Sequence, residues 1–239
     1  MSETSSNNLL VVGSVAIDWI ITPHAERAQS VGGSATYFSM AGGGLAPIQL
    51  VGVVGEDFPR AAVDDLVARG VDVDGLETIE GGLTFRWKGR YHENMNDRDT
   101  LETHLNCFEH FSPKLPEKYQ QTDHLFLANI QPSLQSAVLE QMGRRPRVVG
   151  LDTMNLWIDI ANEDLLKVLK QVDILMINEE EARQLSGEDN LLDAAKSVRG
   201  LGPSTLVIKR GEYGAMLFGP NDDDIFSVPA LPLAKVVDP

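Results

Sequence analysis

Two stretches near the start of this 239-residue chain have the residue types and spacing for ligand chemistry. Gly13-Ser14-Val15-Ala16-Ile17-Asp18 carries a carboxylate out of the first aliphatic run, Leu9 to Val12. A carboxylate placed there can accept hydrogen bonds from the hydroxyls of a small molecule, because ligands of open parallel sheets gather at the carboxyl ends of strands. Gly32-Gly33-Ser34 opens a helical pattern that runs to Met40. Paired glycines let a ligand approach the backbone and leave amide donors at the helix start. Each stretch also has a plainer reading: a solvated Asp18, and a tight turn with Ser34 as helix cap. Gly42-Gly43-Gly44 reads as the end of that helix.

Farther along, Asn178-Glu179-Glu180-Glu181 follows the run Ile174 to Ile177. Asn with a Glu three positions on matches a capping box, which needs no ligand. Three successive Glu residues would repel a phosphate chain, so a functional version of this element requires magnesium. Lys209-Arg210-Gly211-Glu212-Tyr213-Gly214 joins two strand-like runs through glycines that suit a plain hairpin or a turn beneath a phosphate. No Gly-x-Gly-x-x-Gly follows a strand and no Gly-Lys-Ser or Gly-Lys-Thr occurs, so the dinucleotide and P-loop signatures are absent. His24, His92, His104, His110 and His124 lack metal-ligand spacing, and the lone Cys107 reads as a packing residue.

The elements that must hold these residues alternate. Leu9 to Val12, Ile48 to Val54, His124 to Ala128, Arg147 to Leu151, Asp173 to Ile177 and Thr205 to Ile208 predict strands, most of them continuously apolar as buried parallel strands are. Helical patterns lie between them at Ser34 to Met40, Pro59 to Arg69, Ser133 to Met142, Asn162 to Lys170, Glu179 to Leu185 and Leu191 to Leu201. In the second of these, Asp57 is placed to cap, Ala62, Val63, Leu66 and Val67 share a face, and Gly70 stops the helix. One segment differs: Phe85, Trp87 and Tyr91 alternate with Arg86, Lys88, Arg90 and His92. A polar turn from Glu93 to Arg98 follows, and Leu101, Thr103, Leu105 and Cys107 then alternate again. This hairpin has no helix to cover it, which suits a lid over a cleft, a partner subunit, or packing on its own domain.

In this order and at these intervals, the chain resembles the ribokinase-like (PfkB) carbohydrate and nucleoside kinases along essentially its whole length. The resemblance rests on Gly13 to Asp18, Gly32-Gly33, Val51 to Asp57, Leu151-Asp152-Thr153-Met154-Asn155, Asn178 with Glu181, Lys209 to Gly214, and Val236-Val237-Asp238-Pro239. It implies an α/β, three-layer fold with a mostly parallel central sheet, as one domain over 1–239 with a small antiparallel β-lid from about 17–31 and 83–110. The implied activity is ATP-dependent phosphorylation of a sugar or nucleoside hydroxyl. ATP and Mg2+ are the implied cofactors, with a monovalent cation as a further candidate. Carried over by position, Asp18 and the Gly32-Gly33 backbone become substrate ligands, and Asn129 reaches the same pocket. Asn178 becomes an ATP-binding residue and Glu181 a magnesium residue, often acting through water. Gly211 and Gly214 lie in the loop beside the nucleotide, and Lys209 stands where the family often has a small hydroxyl residue. Thr36-Tyr37 replaces the Asn found in many sugar kinases, and Tyr37 with the lid aromatics tilts the reading towards a base-bearing substrate.

In such kinases Asp-Pro leads into Thr-Gly-Ala-Gly-Asp, which supplies the anion hole and the catalytic base. The sequence closes at Asp238-Pro239. The resemblance therefore implies no catalytic residue within 1–239, a base beyond Pro239, little or no transfer activity, bare apolar surface and a tendency to aggregate. A different class of reading is a non-catalytic sugar- or nucleoside-binding protein that keeps the Asp18 pocket. A nucleotide-binding oxidoreductase is disfavoured by the missing glycine fingerprint. The formal charge of −15 opposes nucleic acid and anionic membranes, and no apolar run approaches the roughly 18 residues of a membrane span. A cytoplasmic protein acting on a small molecule is expected, with a homodimer through the lid as its candidate assembly.

Overall fold

Every position of Ile48-Gln49-Leu50-Val51-Gly52-Val53-Val54-Gly55 is buried in the computed structural model, which describes residues 8–95 and 97–234. A run this apolar suits a parallel strand in the interior. The chain forms two compact units, the first reaching Asp123 and the second covering His124–Pro232.

The first unit contains β1 (Leu9–Val12), β2 (Ala16–Ile21), β3 (Glu26–Gly32), α1 (Ser34–Gly42), β4 (Ile48–Gly55), α2 (Arg60–Ala68), β5 (Val71–Ile79), β6 (Phe85–Tyr91) and β7 (Arg98–His104). β1, β4 and β5 are parallel, with Leu9 opposite Ile48 and Ile48 opposite Val71. Val15, Ile17, Val54, Phe58 and Ala62 form a buried cluster where β2 leaves these strands. α2 buries Ala62 and Leu66, while Val67 is exposed; one residue turns a helix by about 100°, which carries Val67 off the apolar stripe.

Asp57 does not cap α2, as the sequence suggests; the N-cap is Pro59, with no side-chain bond. Asp57 Oδ1 accepts from the amide and the hydroxyl of Thr84, both at 2.7 Å, and Oδ2 accepts from Arg86 at 2.6 Å. Three donors at the start of β6 outcompete a single helix amide.

β3, β2, β6 and β7 make the small sheet in that order. Its outer pairs are antiparallel and the β2–β6 pair is parallel. Between Asp18 opposite Ser30 and Ile20 opposite Arg27 the third strand carries one extra residue, a bulge that holds Gln29 at φ 62°. Leu105 and Cys107 leave the expected alternation, because Leu105 caps a 3-10 turn over Asn106–His110. Asn106 there donates to the Thr84 carbonyl at 2.8 Å.

The second unit contains β8 (His124–Leu127), α3 (Pro132–Gln141), β9 (Val148–Asp152), α4 (Asn155–Ile160), α5 (Asn162–Leu169), β10 (Ile174–Asn178), α6 (Glu179–Ser186), α7 (Leu191–Arg199), β11 (Thr205–Lys209), β12 (Ala215–Phe218) and β13 (Ile225–Val228). β8 to β11 are parallel neighbours in chain order, and β12 and β13 add antiparallel strands. Leu127, Leu151, Leu175, Ile177, Leu206 and Ile208 are fully buried, and Leu165, Val168 and Leu169 of α5 join them inside. Helical returns bring Asp152, Asn178 and Lys209 to one carboxyl edge, where parallel sheets place ligands. β13 is exposed along its whole length, including Phe226.

The α/β class with mostly parallel main strands and a small second sheet is therefore as expected. Val236 to Pro239 lie outside the described residues. Among the described residues no helix is long and apolar enough to cross a membrane.

Candidate active site

In the first unit Asp18 sits mid-strand on β2 and is only 8% exposed. A Cβ at Gly32 would collide with the Asp18 carboxylate, so a glycine is needed for the carboxylate to lie against the end of β3. Gly33 has φ 95°, and a Cβ there would collide with the Ser14 carbonyl. The turn at Gly33 draws Ser14 onto the start of α1. Ser14 Oγ accepts from the Ser34 amide at 3.0 Å, and the Ser14 carbonyl accepts from the Ala35 amide at 3.0 Å. These two amides are therefore spent inside the protein and are not the open donors expected from the sequence. Ser34 is not the cap either: Gly33 holds that position with no side-chain bond. Ser14, which the sequence reading leaves without a role, is what fixes this turn.

The register of the small sheet decides what surrounds Asp18. Asp18 is opposite Trp87 and Ala16 is opposite Phe85, so the carboxylate shares a face with these aromatics. Trp87 Nε1 donates to Thr100 Oγ1 at 3.2 Å, which steadies the ring on that face. The opposite face carries Trp19, Lys88, Glu102 and His104. Lys88 Nζ lies 3.9 Å from the centre of the Trp19 ring and 3.0 Å from Glu102. A cavity of about 250 Å³ opens between these residues and Arg86, bordered by Gln29 and Asp18. Tyr37 is exposed on α1, and Thr36 and Ser39 have buried hydroxyls with no protein partner.

In the second unit the Asn178–Glu181 capping box is present. Asn178 Oδ1 accepts from the Glu181 amide and Glu181 Oε2 accepts from the Asn178 amide, both at 2.7 Å. The plainer reading of this element thus holds geometrically. The expected repulsion from three Glu residues is relieved at Glu179, which accepts from Arg210 at 2.9 Å and from Arg183 at 2.7 Å. Those hydrogen bonds, Arg210 first, hold the Glu179 carboxyl below the usual Glu value. Arg210, part of the glycine-containing turn that suits a phosphate, is thus committed to Glu179, and the sequence does not announce either arginine as its partner.

Asn178 and Lys209 are register partners at the ends of β10 and β11. Lys209 Nζ is 3.3 Å from Asp152 Oδ1 at the end of β9. Burial pushes the Asp152 carboxyl up, with Lys209 pulling the other way. Gly211 opens and Gly214 closes the 3-10 turn that leads into β12. Asn129, just beyond β8, accepts at Oδ1 from Trp157 Nε1 at 2.9 Å. Oxygen donors on this edge are Asp152, Asn178 and Glu181; among the described residues no three His, Cys, Asp or Glu side chains form a metal-holding group. The structure thus groups Asp18, Gly32 and Gly33 in one unit, and Asn178, Glu181, Lys209, Gly211 and Gly214 in the other, with Asn129 also in the second.

Parallel strands with polar side chains at their carboxyl ends, together with a small mixed sheet, give the chain an α/β layout with ligand-binding residue types at one strand edge. The model of the pfkB family of carbohydrate kinases matches residues 6–239, and the chain belongs to that family. It is 29% identical, over 97% of its own length and 83% of the relative's, to a cytidine kinase of Thermococcus kodakarensis. Among solved structures it is similar to a putative ribokinase II of E. coli in complex with ATP and Mg2+, at 19% identity and TM-score 0.77 over 96% of this chain and 80% of that one. It is also similar to a nucleoside kinase of Methanocaldococcus jannaschii, at 17% identity and TM-score 0.73 over 98% of this chain and 79% of that one.

Proposed function

We propose that the chain binds a nucleoside at Asp18 and Gly32-Gly33 and ATP at Asn178, Lys209, Gly211 and Gly214, as parts of a kinase that phosphorylates a nucleoside hydroxyl. The observation that carries this reading is the buried Asp18 carboxylate, seated on Gly32 and flanked by Trp87 on the same face of the sheet. An ionised carboxylate accepts hydrogen bonds only, and those from sugar hydroxyls are of the strong charge-assisted kind. An indole beside it offers an apolar surface for a base. The cytidine kinase relative supports a nucleoside over a free sugar.

On the second unit, Asn178 and Glu181 would hold Mg2+ together with the ATP phosphates. Magnesium keeps several waters and takes one or two carboxylates, so the two carboxylates offered at this strand edge, Glu181 and Asp152, suit it chemically. Because Asn178 and Glu181 already satisfy each other's backbone amides, contact through water suits this pair better than direct ligation. When bound, the ion neutralises charge on the phosphate chain. Lys209 adds a half-exposed cation at the neighbouring strand end. Asn129 belongs to the same reading as a substrate contact, its amide oriented by Trp157. A second copy meeting the lid also belongs to it, supported by the exposure of every residue of β7 at the sheet edge.

A thermal-shift panel of cytidine, adenosine, ribose and fructose tests the substrate class. Nucleosides should raise the melting temperature more than the sugars do. A response to the sugars alone would refute the nucleoside reading.

A further inference from the structure

Lys209 reaches past its own neighbour. Its strand pairs with β10, and β10 pairs with β9, yet the Lys209 ammonium meets Asp152 at the end of β9. The side chain therefore arches across the end of β10, over the point where Asn178 opens α6. Its partner is well enclosed: the Asp152 side chain is 19% exposed, against 49% for Lys209. Next to it, the Thr153 hydroxyl is buried without a protein partner, and Gln135 Nε2 donates to the Asp152 carbonyl at 3.1 Å, so the backbone at this strand end is held. One member of the pair is anchored and the other is long, flexible and half in solvent.

We propose that Asp152 is the resting counter-ion of Lys209 and sets the affinity of this edge for phosphate, which must take Lys209 away from it. This rests on the reading of Lys209 as a nucleotide contact. An anion arriving at the edge gains the ammonium only by breaking the ion pair. Asp152 is thus a positioning residue: it keeps the Lys209 stem laid across β10 and lowers phosphate affinity while doing so. A merely structural carboxylate would do the opposite, because its loss would loosen the edge and weaken binding. The sign of the effect therefore separates the two roles.

The test is calorimetric titration of ADP and of inorganic tripolyphosphate into the chain with EDTA present, so that no divalent ion uses Asp152. Asp152→Asn should tighten binding about 3- to 10-fold, the worth of a partly exposed ion pair. Lys209→Met should weaken it roughly tenfold or more. The double variant should bind like Lys209→Met, because the gain has no ammonium to act through. Weaker or unchanged binding by Asp152→Asn overturns the proposal, as does a gain that persists in the double variant. If neither single variant alters binding, the nucleotide reading of Lys209 fails with it; loss in Lys209→Met alone sinks only the role of Asp152. Should Asp152→Asn not fold, Asp152→Ser replaces it. On the native protein, tripolyphosphate should also slow the reductive methylation of Lys209, and an unchanged rate counts against the proposal.

Discussion

Replacing Asp57 with Ala should loosen the attachment of the small sheet to β4, and the cost can be worked from its contacts. Thr84 is fully buried and gives both its amide and its hydroxyl to Asp57 Oδ1 at 2.7 Å; the hydroxyl also accepts from the Gly55 amide at 3.0 Å. In Asp57→Ala the hydroxyl can turn, but the Thr84 amide is left buried without an acceptor, a loss of about 1–3 kcal/mol. Arg86 loses an ion pair with side chains 35% and 20% exposed, adding about 1 kcal/mol at most. Together these give about 1–4 kcal/mol. Asp57→Asn keeps an acceptor for Thr84 and should lose about 1 kcal/mol. Urea unfolding followed by Trp19 and Trp87 fluorescence in a Trp157→Phe background reports on the first unit. With a slope of about 2–3 kcal/mol/M the midpoint should fall by roughly 0.3–2 M. The effect also has a pH signature. Burial acts to raise the Asp57 pKa, yet the Thr84 and Arg86 contacts outweigh it and hold the carboxyl below its ordinary value. Asp57 thus contributes stability that is full above the unfolded carboxyl pKa of about 4 and is lost as pH falls through the folded one. The gap between native protein and Asp57→Ala should narrow below about pH 4. A midpoint shift under about 0.3 M at pH 7, or a gap that widens in acid, would refute the reasoning.

Asn178→Ala should cost about 1 kcal/mol by loss of the cap of α6. Glu181→Ala should couple to it in a double-mutant cycle, since the two bonds of the capping box are reciprocal; strict additivity in urea titrations would contradict this. Gly32→Ala should displace the Asp18 carboxylate and lower nucleoside affinity at least tenfold, a loss of 1.4 kcal/mol or more, while the circular dichroism stays native. Burial pushes the Cys107 thiol pKa up, so iodoacetamide at pH 8 should label it more slowly than free cysteine by mass spectrometry.

Where local pattern decides structure, the sequence was enough. β4 is buried throughout because its run is apolar, and the paired contacts of Asn178 and Glu181 follow from a spacing that needs only one helix turn. What escaped was decided by distant partners. β5 mixes Asp72, Asp74 and Glu77 with Gly75, a pattern without clean periodicity, and it pairs at the side of β4. α4 is six residues long, too short for a helical period to show. The spacing from Asp57 to Pro59 fits a cap as well as it fits a tether, and only the position of Thr84 chooses between them. Likewise nothing about Ser14 in sequence announces that its carbonyl and hydroxyl will occupy the start of α1. The candidate residues could be named from motif and spacing alone, while the Lys209–Asp152 pair and the sharing of Glu179 by two arginines depend on packing across strands.

The central claim is that Asp18 reads the hydroxyls of a nucleoside. Its most direct test is calorimetric titration of cytidine into native protein and into Asp18→Asn, with circular dichroism to verify that both fold alike. Charge-assisted hydrogen bonds of about 1.5–3 kcal/mol predict saturable binding by the native chain and roughly 10- to 100-fold weaker binding by Asp18→Asn. Equal affinity in the two proteins, or no cytidine binding by the native chain, would contradict it.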